Sequence, residues 1–249
     1  MKRIFLYFSA AFLLIIGLCA QADAAATAKK LPHSVRLLCV DEVAQATQLV
    51  LAEETEQGWV GRWRVGVSGQ TLSNRLGFQT RTIGVAIDPT PPLKNGPFHA
   101  APTMIKENLI VKPFAEMVLS ASDSVTAILI AGPKPEVAPY RVIVLDAAEQ
   151  QFGKGKVLIQ NFTQHTVAGV FGGKAAKILS GKSELIEPGI DQAADMAQVT
   201  LAKQNGQAWE PFYDTRWPGK ADYRSYLLLL PREDGSINAF VMPEYPPFR

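Results

Sequence analysis

The chain has 249 residues, of which 19% are charged, and its net charge is +2 at neutral pH. This length is sufficient for one large hydrophobic core or for two smaller ones. Because the chain is nearly neutral and its charges are scattered, it has no general electrostatic attraction for nucleic acid or for acidic membrane surfaces. Nucleic acid is therefore not among the expected partners.

The chain begins with the three-part pattern of an export signal. A short positive segment, Lys2-Arg3, precedes an apolar run from Phe5 to Leu18. Ala22-Asp23-Ala24 then places small residues at the −3 and −1 positions of a cleavage site. The sequence predicts that residues 1–24 are a cleaved signal peptide and that residues 25–32 are a flexible leader. The protein is expected to be exported, either to the periplasm or to the cell surface and medium.

Two alternatives remain for this N-terminal segment. An uncleaved signal would be the protein's single membrane contact, although its apolar run is shorter than the roughly 20 residues of a spanning helix. A lipoprotein signal would place the lipid on Cys19. Leu18 precedes that cysteine, where bacterial lipoprotein signals have a small residue.

Cysteine and histidine are scarce, and neither residue type is clustered. Once the signal is removed, Cys39 is the remaining thiol, and its apolar surroundings favour a buried, inert side chain. A nucleophile or an intermolecular disulfide is the alternative. The three histidines, His33, His99 and His165, lie far apart and belong to no zinc-binding motif. We therefore expect no metal and no cofactor.

After residue 32 the chain consists of short runs rich in Val, Ile, Leu, Phe and Trp, separated by Gly, Pro, Asn, Asp and Ser. This rhythm is typical of an all-β sandwich or barrel. Strands are predicted at 35–40, 48–53, 59–67, 81–87, 108–112, 116–119, 125–131, 140–145, 156–162, 166–171, 175–179, 183–186, 197–203, 225–230 and 237–242. We expect an antiparallel β-sandwich with little helix outside the signal peptide.

Proline-rich stretches suggest how the sandwich is organised. Residues 88–102 and 133–139 contain several prolines, and each can be a linker or a connection between two sheets. One large module and two consecutive modules are both consistent with this pattern. For two modules, the predicted division is an N-terminal β module at 33–135 and a C-terminal β-sandwich module at 136–249.

One block of the C-terminal half resembles a known group of proteins. The segments Val157–Thr163, Thr166–Gly169 and Gly181–Ser183 form a strand–turn–strand pattern. This block resembles exported bacterial β-sandwich proteins of unassigned activity. The resemblance implies a fold and assigns a function to no residue.

Local catalytic motifs are incomplete. Gly181-Lys182-Ser183 matches the end of a phosphate-binding loop, but Ala176 occupies the position of the first glycine. Gly66-Val67-Ser68-Gly69-Gln70 approaches the nucleophile elbow of serine hydrolases, but Gln70 replaces the second glycine. These departures favour a protein that is not an enzyme.

Sequence motifs are poor evidence for or against a glycosidase, because the fold, not local spacing, brings the two catalytic carboxylates together. No local context marks such a pair in this chain, and solvated surface carboxylates are the simpler interpretation. The candidates are Asp41, Glu42, Glu53, Glu54, Glu56, Glu210 and Asp214.

The segment from Trp209 to Tyr226 is unusually aromatic. It interleaves aromatic residues with Arg216, Lys220 and Arg224, and its prolines and Gly219 predict that much of it is loop. Such side chains can cap the core, anchor a protein partner or stack on sugar rings. The residues singled out for binding are Trp209, Tyr213, Arg216 and Trp217.

The sequence therefore predicts an exported, non-enzymatic β-sandwich protein that acts as a binding or structural accessory in the cell envelope. Its expected partner is an envelope protein or a glycan. The alternative is a secreted carbohydrate-binding module or glycosidase. If Trp217 anchors a partner, Trp217→Ala should weaken binding and leave the melting temperature nearly unchanged.

Overall fold

The computed structural model covers the β-rich part of the chain. The described residues are 31–41, 43, 48–90, 101–119, 124–191, 195–218 and 222–246. The predicted signal peptide, 1–24, and residues 25–30 of the leader lie outside them. The described residues form strands, turns and loops and contain no helix, which confirms the prediction of an all-β sandwich.

Residues 33–146 form a first sandwich of two sheets, with strands numbered in chain order. Sheet A contains β1 (His33–Cys39), β4 (Thr71–Leu72), β5 (Leu76–Phe78), β10 (Ser124–Lys134) and β11 (Ala138–Asp146). Sheet B contains β2 (Gln48–Thr55), β3 (Gly58–Gly66), β6 (Thr82–Ile87), β7 (Thr103–Met104), β8 (Ile110–Val111) and β9 (Ala115–Val118).

Residues 157–244 form a second sandwich. Sheet C contains β12 (Val157–Asn161), β15 (Ser183–Ile186), β18 (Arg224–Pro231) and β19 (Ile237–Glu244). Sheet D contains β13 (Val167–Phe171), β14 (Lys174–Ile178), β16 (Met196–Asn205) and β17 (Ala208–Pro218). The hairpin β16–β17 turns at Gly206, whose positive φ of 60° is readily adopted by glycine.

The two sandwiches share one strand order. Sheet A runs β11-β10-β1-β4 and sheet C runs β19-β18-β12-β15, while β3-β2-β6-β9 in sheet B corresponds to β14-β13-β16-β17 in sheet D. In both, the first strand pairs in parallel with the penultimate strand, β1 with β10 and β12 with β18. The chain thus contains an internal structural repeat.

Three apolar clusters stack the sheets in the order B, A, C, D. One cluster lies between sheets A and B, a second between C and D, and a third joins sheet A to sheet C. Alternation along β18 explains the division, because Leu227 belongs to the second cluster and Leu228 to the third. Strands that are buried on both faces read as continuous apolar runs, as the sequence of β18 predicts.

The predicted module boundary, between residues 135 and 136, lies within a hairpin of sheet A. The hairpin of β10 and β11 spans residues 135 and 136, and its turn uses part of the proline-rich stretch 133–139. The chain passes from sheet A to sheet C over residues 147–156. Residues 33–249 form one compact unit, and the division into modules at 33–135 and 136–249 stays a prediction.

Most predicted strands overlap an observed strand, but the prediction that much of the aromatic segment Trp209–Tyr226 is loop is wrong. Residues Ala208–Pro218 form the 11-residue strand β17. This strand lies at the edge of sheet D, where Pro211 and Pro218 are tolerated because an edge strand has one unpaired row of backbone groups. The short strands β4, β5 and β7 were also missed.

A buried ionic network joins sheets A and C around Glu244, which is 2% exposed. Its carboxylate accepts hydrogen bonds from Arg224 Nε at 2.7 Å and from the Tyr226 hydroxyl at 2.9 Å. From the first sandwich, Arg36 Nη1 lies 2.7 Å and Arg75 Nη2 3.5 Å from the same carboxylate. Three guanidinium groups, contributed by both sandwiches, therefore converge on one carboxylate.

Arg224 extends this network to the connection between the sandwiches. Its Nη1 donates to the carbonyl oxygens of Ala147 at 2.8 Å and of Phe152 at 2.5 Å. Its guanidinium carbon lies 4.5 Å from the centre of the Phe152 ring. The connection is thus held by the same side chain that pairs with Glu244.

Burial changes the ionisation of two members of the network. Desolvation, reinforced by the neighbouring Arg36, lowers the pKa of Arg75 to about 10. Desolvation, reinforced by Glu244, raises the pKa of Tyr226 well above its ordinary value. The Tyr226 phenol is therefore protonated at neutral pH and donates to Glu244.

Candidate functional site

The four residues singled out for binding all lie on β17, but they point to opposite faces of sheet D. Tyr213 pairs with Leu201 and Trp217 with Ala197, and both partners are buried. The side chains of Tyr213 and Trp217 therefore point inward. Trp209 and Arg216 are exposed and fall on the other face, referred to below as the outer face of sheet D.

The two inward aromatic residues support the second core. Trp217 Nε1 donates a hydrogen bond to the Tyr213 hydroxyl at 3.2 Å. The Trp217 ring lies 6.0 Å from the Phe171 ring, measured between centroids. Phe212, at a bulge in the pairing, packs against the same cluster. These contacts favour a core-capping role for Tyr213 and Trp217.

The outer face of sheet D carries a group of apolar side chains, called the centre below, and a group of polar side chains, called the rim; Trp209 lies on the edge strand at one end of the apolar group. Trp209 is 44% and Val170 45% exposed, and small side chains lie between them in the pairing register. The centre consists of Ala168, Val170, Ala175, Ala202, Trp209 and Pro211, and the rim of Lys177, Gln198, Thr200, Gln204, Asp214 and Arg216. This arrangement is that of many protein interfaces.

Hydrogen bonds order the rim at the end far from Trp209. The Asp214 carboxylate accepts hydrogen bonds from the Gln198 side-chain amide and from the Thr200 hydroxyl, the latter at 3.2 Å. Gln198 in turn accepts from Arg216 Nε at 3.3 Å. These four side chains are held in place before any partner binds, which reduces the entropy lost on binding.

A small cavity opens at the end of the second sandwich beside Trp217. Its volume is about 140 Å³, and Ile190, Pro218 and Val241 line it. The Tyr223 ring also lines it and packs on Tyr245, with 5.3 Å between the ring centres. Partial burial raises the pKa of Tyr223. The cavity is below the usual range of about 300–1,000 Å³ for small-molecule sites.

Carboxylates considered for glycosidase chemistry have structural contacts. Glu53 is 3% exposed and accepts hydrogen bonds from Arg62 Nε at 2.7 Å and from the backbone N–H of Thr80 at 3.1 Å. Asp214 belongs to the rim of sheet D, and Glu42 lies outside the described residues. The contacts of Glu53 and Asp214 account for their positions without a catalytic role.

The described residues contain no group of three or more His, Cys, Asp or Glu that could hold a metal ion. Cys39 is buried and donates its thiol hydrogen to the Asp41 carbonyl oxygen at 3.0 Å. His165 lies in a turn, with Nδ1 3.3 Å from the Gln204 carbonyl oxygen, and His99 lies outside the described residues.

Sequence reasoning missed most of the outer face of sheet D. Its small residues on β13 and β16 do not stand out by composition, and the strand register brings them beside Trp209. The alternation of buried and exposed residues in Val167–Phe171 and in the first half of β16 was the available signal. This alternation identifies which side chains point outward, but it does not identify which side chains lie beside them on the adjacent strands.

No protein-family model matches this chain, and no curated protein matches it either. Within the described residues there is also no helix with the length and apolar character needed to span a membrane.

Proposed function

We propose that this protein is an exported, non-enzymatic binding accessory of the cell envelope and that it recognises a protein partner through the outer face of sheet D. The observation that carries this proposal is the exposed Trp209 at one end of an apolar patch whose other end is bordered by ordered polar side chains. Tryptophan and arginine are the residue types most often found at binding hot spots. Export follows from the N-terminal pattern of the sequence.

The stacked sheets support this role. The inner sheets A and C are covered on both faces, whereas sheet D has one open face. That face is formed by hydrogen-bonded strands rather than by loops, so its side chains are positioned by the sheet. A rigid face loses little conformational entropy when it binds a partner.

The test is affinity capture from detergent-solubilised envelope of the native cell, using the purified protein as bait. We expect one saturable protein partner, with retention reduced about tenfold or more by Trp209→Ala. Tyr245→Ala is the matched control, because Tyr245 is also an exposed aromatic residue but lies away from this face. No saturable partner, or equal loss with Tyr245→Ala, contradicts the proposal.

Carbohydrate binding is the second candidate function. The observation that favours it is the combination of Trp209 with hydrogen-bonding groups of Gln198, Asp214 and Arg216 on one sheet face. An aromatic ring stacks on one sugar of an oligosaccharide, and the polar groups at the far end of the face bind hydroxyls of another sugar in the same chain. Retention of polysaccharide without a protein partner, lost on Trp209→Ala, would favour this function over the first.

A further inference from the structure

A second concave region lies between the two sandwiches. It is a cleft of about 450 Å³ bordered by the β10–β11 hairpin of the first sandwich and by the β18–β19 hairpin of the second. Its volume falls in the range of about 300–1,000 Å³ that is usual for small-molecule sites. Such sites are common where two domains meet.

The cleft has an apolar wall that continues the cluster between sheets A and C. Ile130 and Phe162 pack against that cluster, and Leu230 belongs to it and is 8% exposed. These side chains are held from behind by buried neighbours. A ligand that covers them would remove apolar surface from water without reorganising the core.

Each sandwich contributes one guanidinium to the cleft, Arg141 from β11 and Arg232 from the segment after β18. Both residues are exposed, and neither forms an ion pair with another described residue. Arg141 lies over the Phe162 ring, 5.9 Å from its centre. Arg232 Nη2 donates to Asn238 Oδ1 at 3.4 Å.

The balance of charge in the cleft is positive. Asp41 is the acidic residue among those that line it, and its Oδ2 accepts a hydrogen bond from the backbone N–H of Ala131 at 3.4 Å. Two guanidinium groups therefore line the cleft with one carboxylate, and Asp234, which does not line it, interacts electrostatically with Arg232. Guanidinium groups bind carboxylates through paired hydrogen bonds, and a partly desolvated apolar surround strengthens them.

We propose that this cleft binds a small organic carboxylate. The carboxylate binds between Arg141 and Arg232 and pairs with both, and the apolar part of the ligand covers Ile130, Phe162 and Leu230. The residues that line this site are different from those of the outer face of sheet D.

The experiment is a titration of the purified full chain with 4-phenylbutyrate, followed by ligand-observed NMR. Its matched neutral probe is 4-phenylbutan-1-ol, which has the same apolar part. We expect saturable binding of the acid, at least tenfold tighter than binding of the alcohol, and weaker at high salt.

The variants Arg141→Ala and Arg232→Ala should each weaken binding of the acid about tenfold. Arg81→Ala is the control, because Arg81 is exposed and does not line the cleft. Since the guanidinium groups of Arg141 and Arg232 are exposed, thermal unfolding should show that both variants are folded. Equal affinity for acid and alcohol, no saturable binding by the folded protein, or an equal effect of Arg81→Ala would overturn the proposal.

Discussion

The two sheets of the second sandwich carry comparable polar networks in different surroundings. On sheet C, Glu244 organises Arg224 and Tyr226 on a face that is buried against sheet A. On sheet D, Asp214 organises Gln198 and Arg216 on an open face. The two faces differ because sheet A covers the face of sheet C, whereas no sheet in the described part of the chain covers the outer face of sheet D. The comparison suggests that one network serves stability and the other serves recognition.

The largest expected effect comes from removing the charge of Glu244. Glu244→Gln preserves the shape of the side chain but leaves the buried Arg224 and the partly buried Arg36 and Arg75 without their shared carboxylate. We expect the free energy of unfolding, measured by urea denaturation, to fall by about 3–5 kcal/mol. Asp214→Asn makes the same charge change on the open face and serves as the control. Equal losses in both variants would remove the distinction between the faces.

Trp217→Ala should have the next largest effect. The half-buried ring contacts Phe171 and the Tyr213 hydroxyl, so we expect a loss of about 2 kcal/mol, less than for a fully buried aromatic residue. Trp209→Ala, on the outer face, should cost less than about 0.5 kcal/mol. This revises the expectation that Trp217→Ala leaves the melting temperature unchanged. Calorimetry of both variants tests it, and equal melting temperatures would contradict the inward assignment.

The buried network should also respond to alkaline pH through Tyr226. The unfolded chain loses the phenol proton near pH 10, whereas the folded protein retains it because its pKa is raised. Stability contributed by this group is therefore present below pH 10 and is lost as pH rises above it. Arg75, whose pKa is lowered to about 10, acts in the opposite direction over the same range.

Comparison with Tyr226→Phe removes most of the contribution of Arg75, because Arg75 is present in both proteins and Tyr226 is the last of the causes that shift its pKa. The difference in unfolding free energy between wild type and Tyr226→Phe should shrink by roughly 1 kcal/mol from pH 9 to pH 11. Chemical denaturation at the two pH values measures it. A difference that stays constant would mean that the phenol ionises as easily in the folded protein as in the unfolded chain.

A small effect on stability is also expected for Asp214→Asn. Exposed hydrogen-bonded charges contribute about 0–1 kcal/mol, so the melting temperature should change little. Retention of the envelope partner should nevertheless fall, because Gln198 and Thr200 lose a charged acceptor. A variant that binds normally would limit the recognition surface to the region around Trp209.

Sequence by itself determined the all-β class and the positions of most strands, but not those of β4, β5, β7 and β17. Turn residues such as Asn205-Gly206 and the short apolar runs between them are local signals, because they depend on neighbours along the chain. The continuous apolar run in β18 also predicted a strand covered on both faces, which the sheets confirm. Local patterning could not assign Leu227 and Leu228 to different cores, because both are leucines in one run.

Tertiary structure decided the strand order, the repeat and the neighbours of each polar side chain. Arg36 and Glu244 lie at opposite ends of the chain, and only the stacking of sheet A on sheet C brings them within 2.7 Å. The same stacking forms the cleft between Arg141 and Arg232. The prolines of β17 indicate a loop, but the segment forms a strand because it lies at the edge of sheet D. Such contacts depend on distant pairing, which local sequence patterns do not encode.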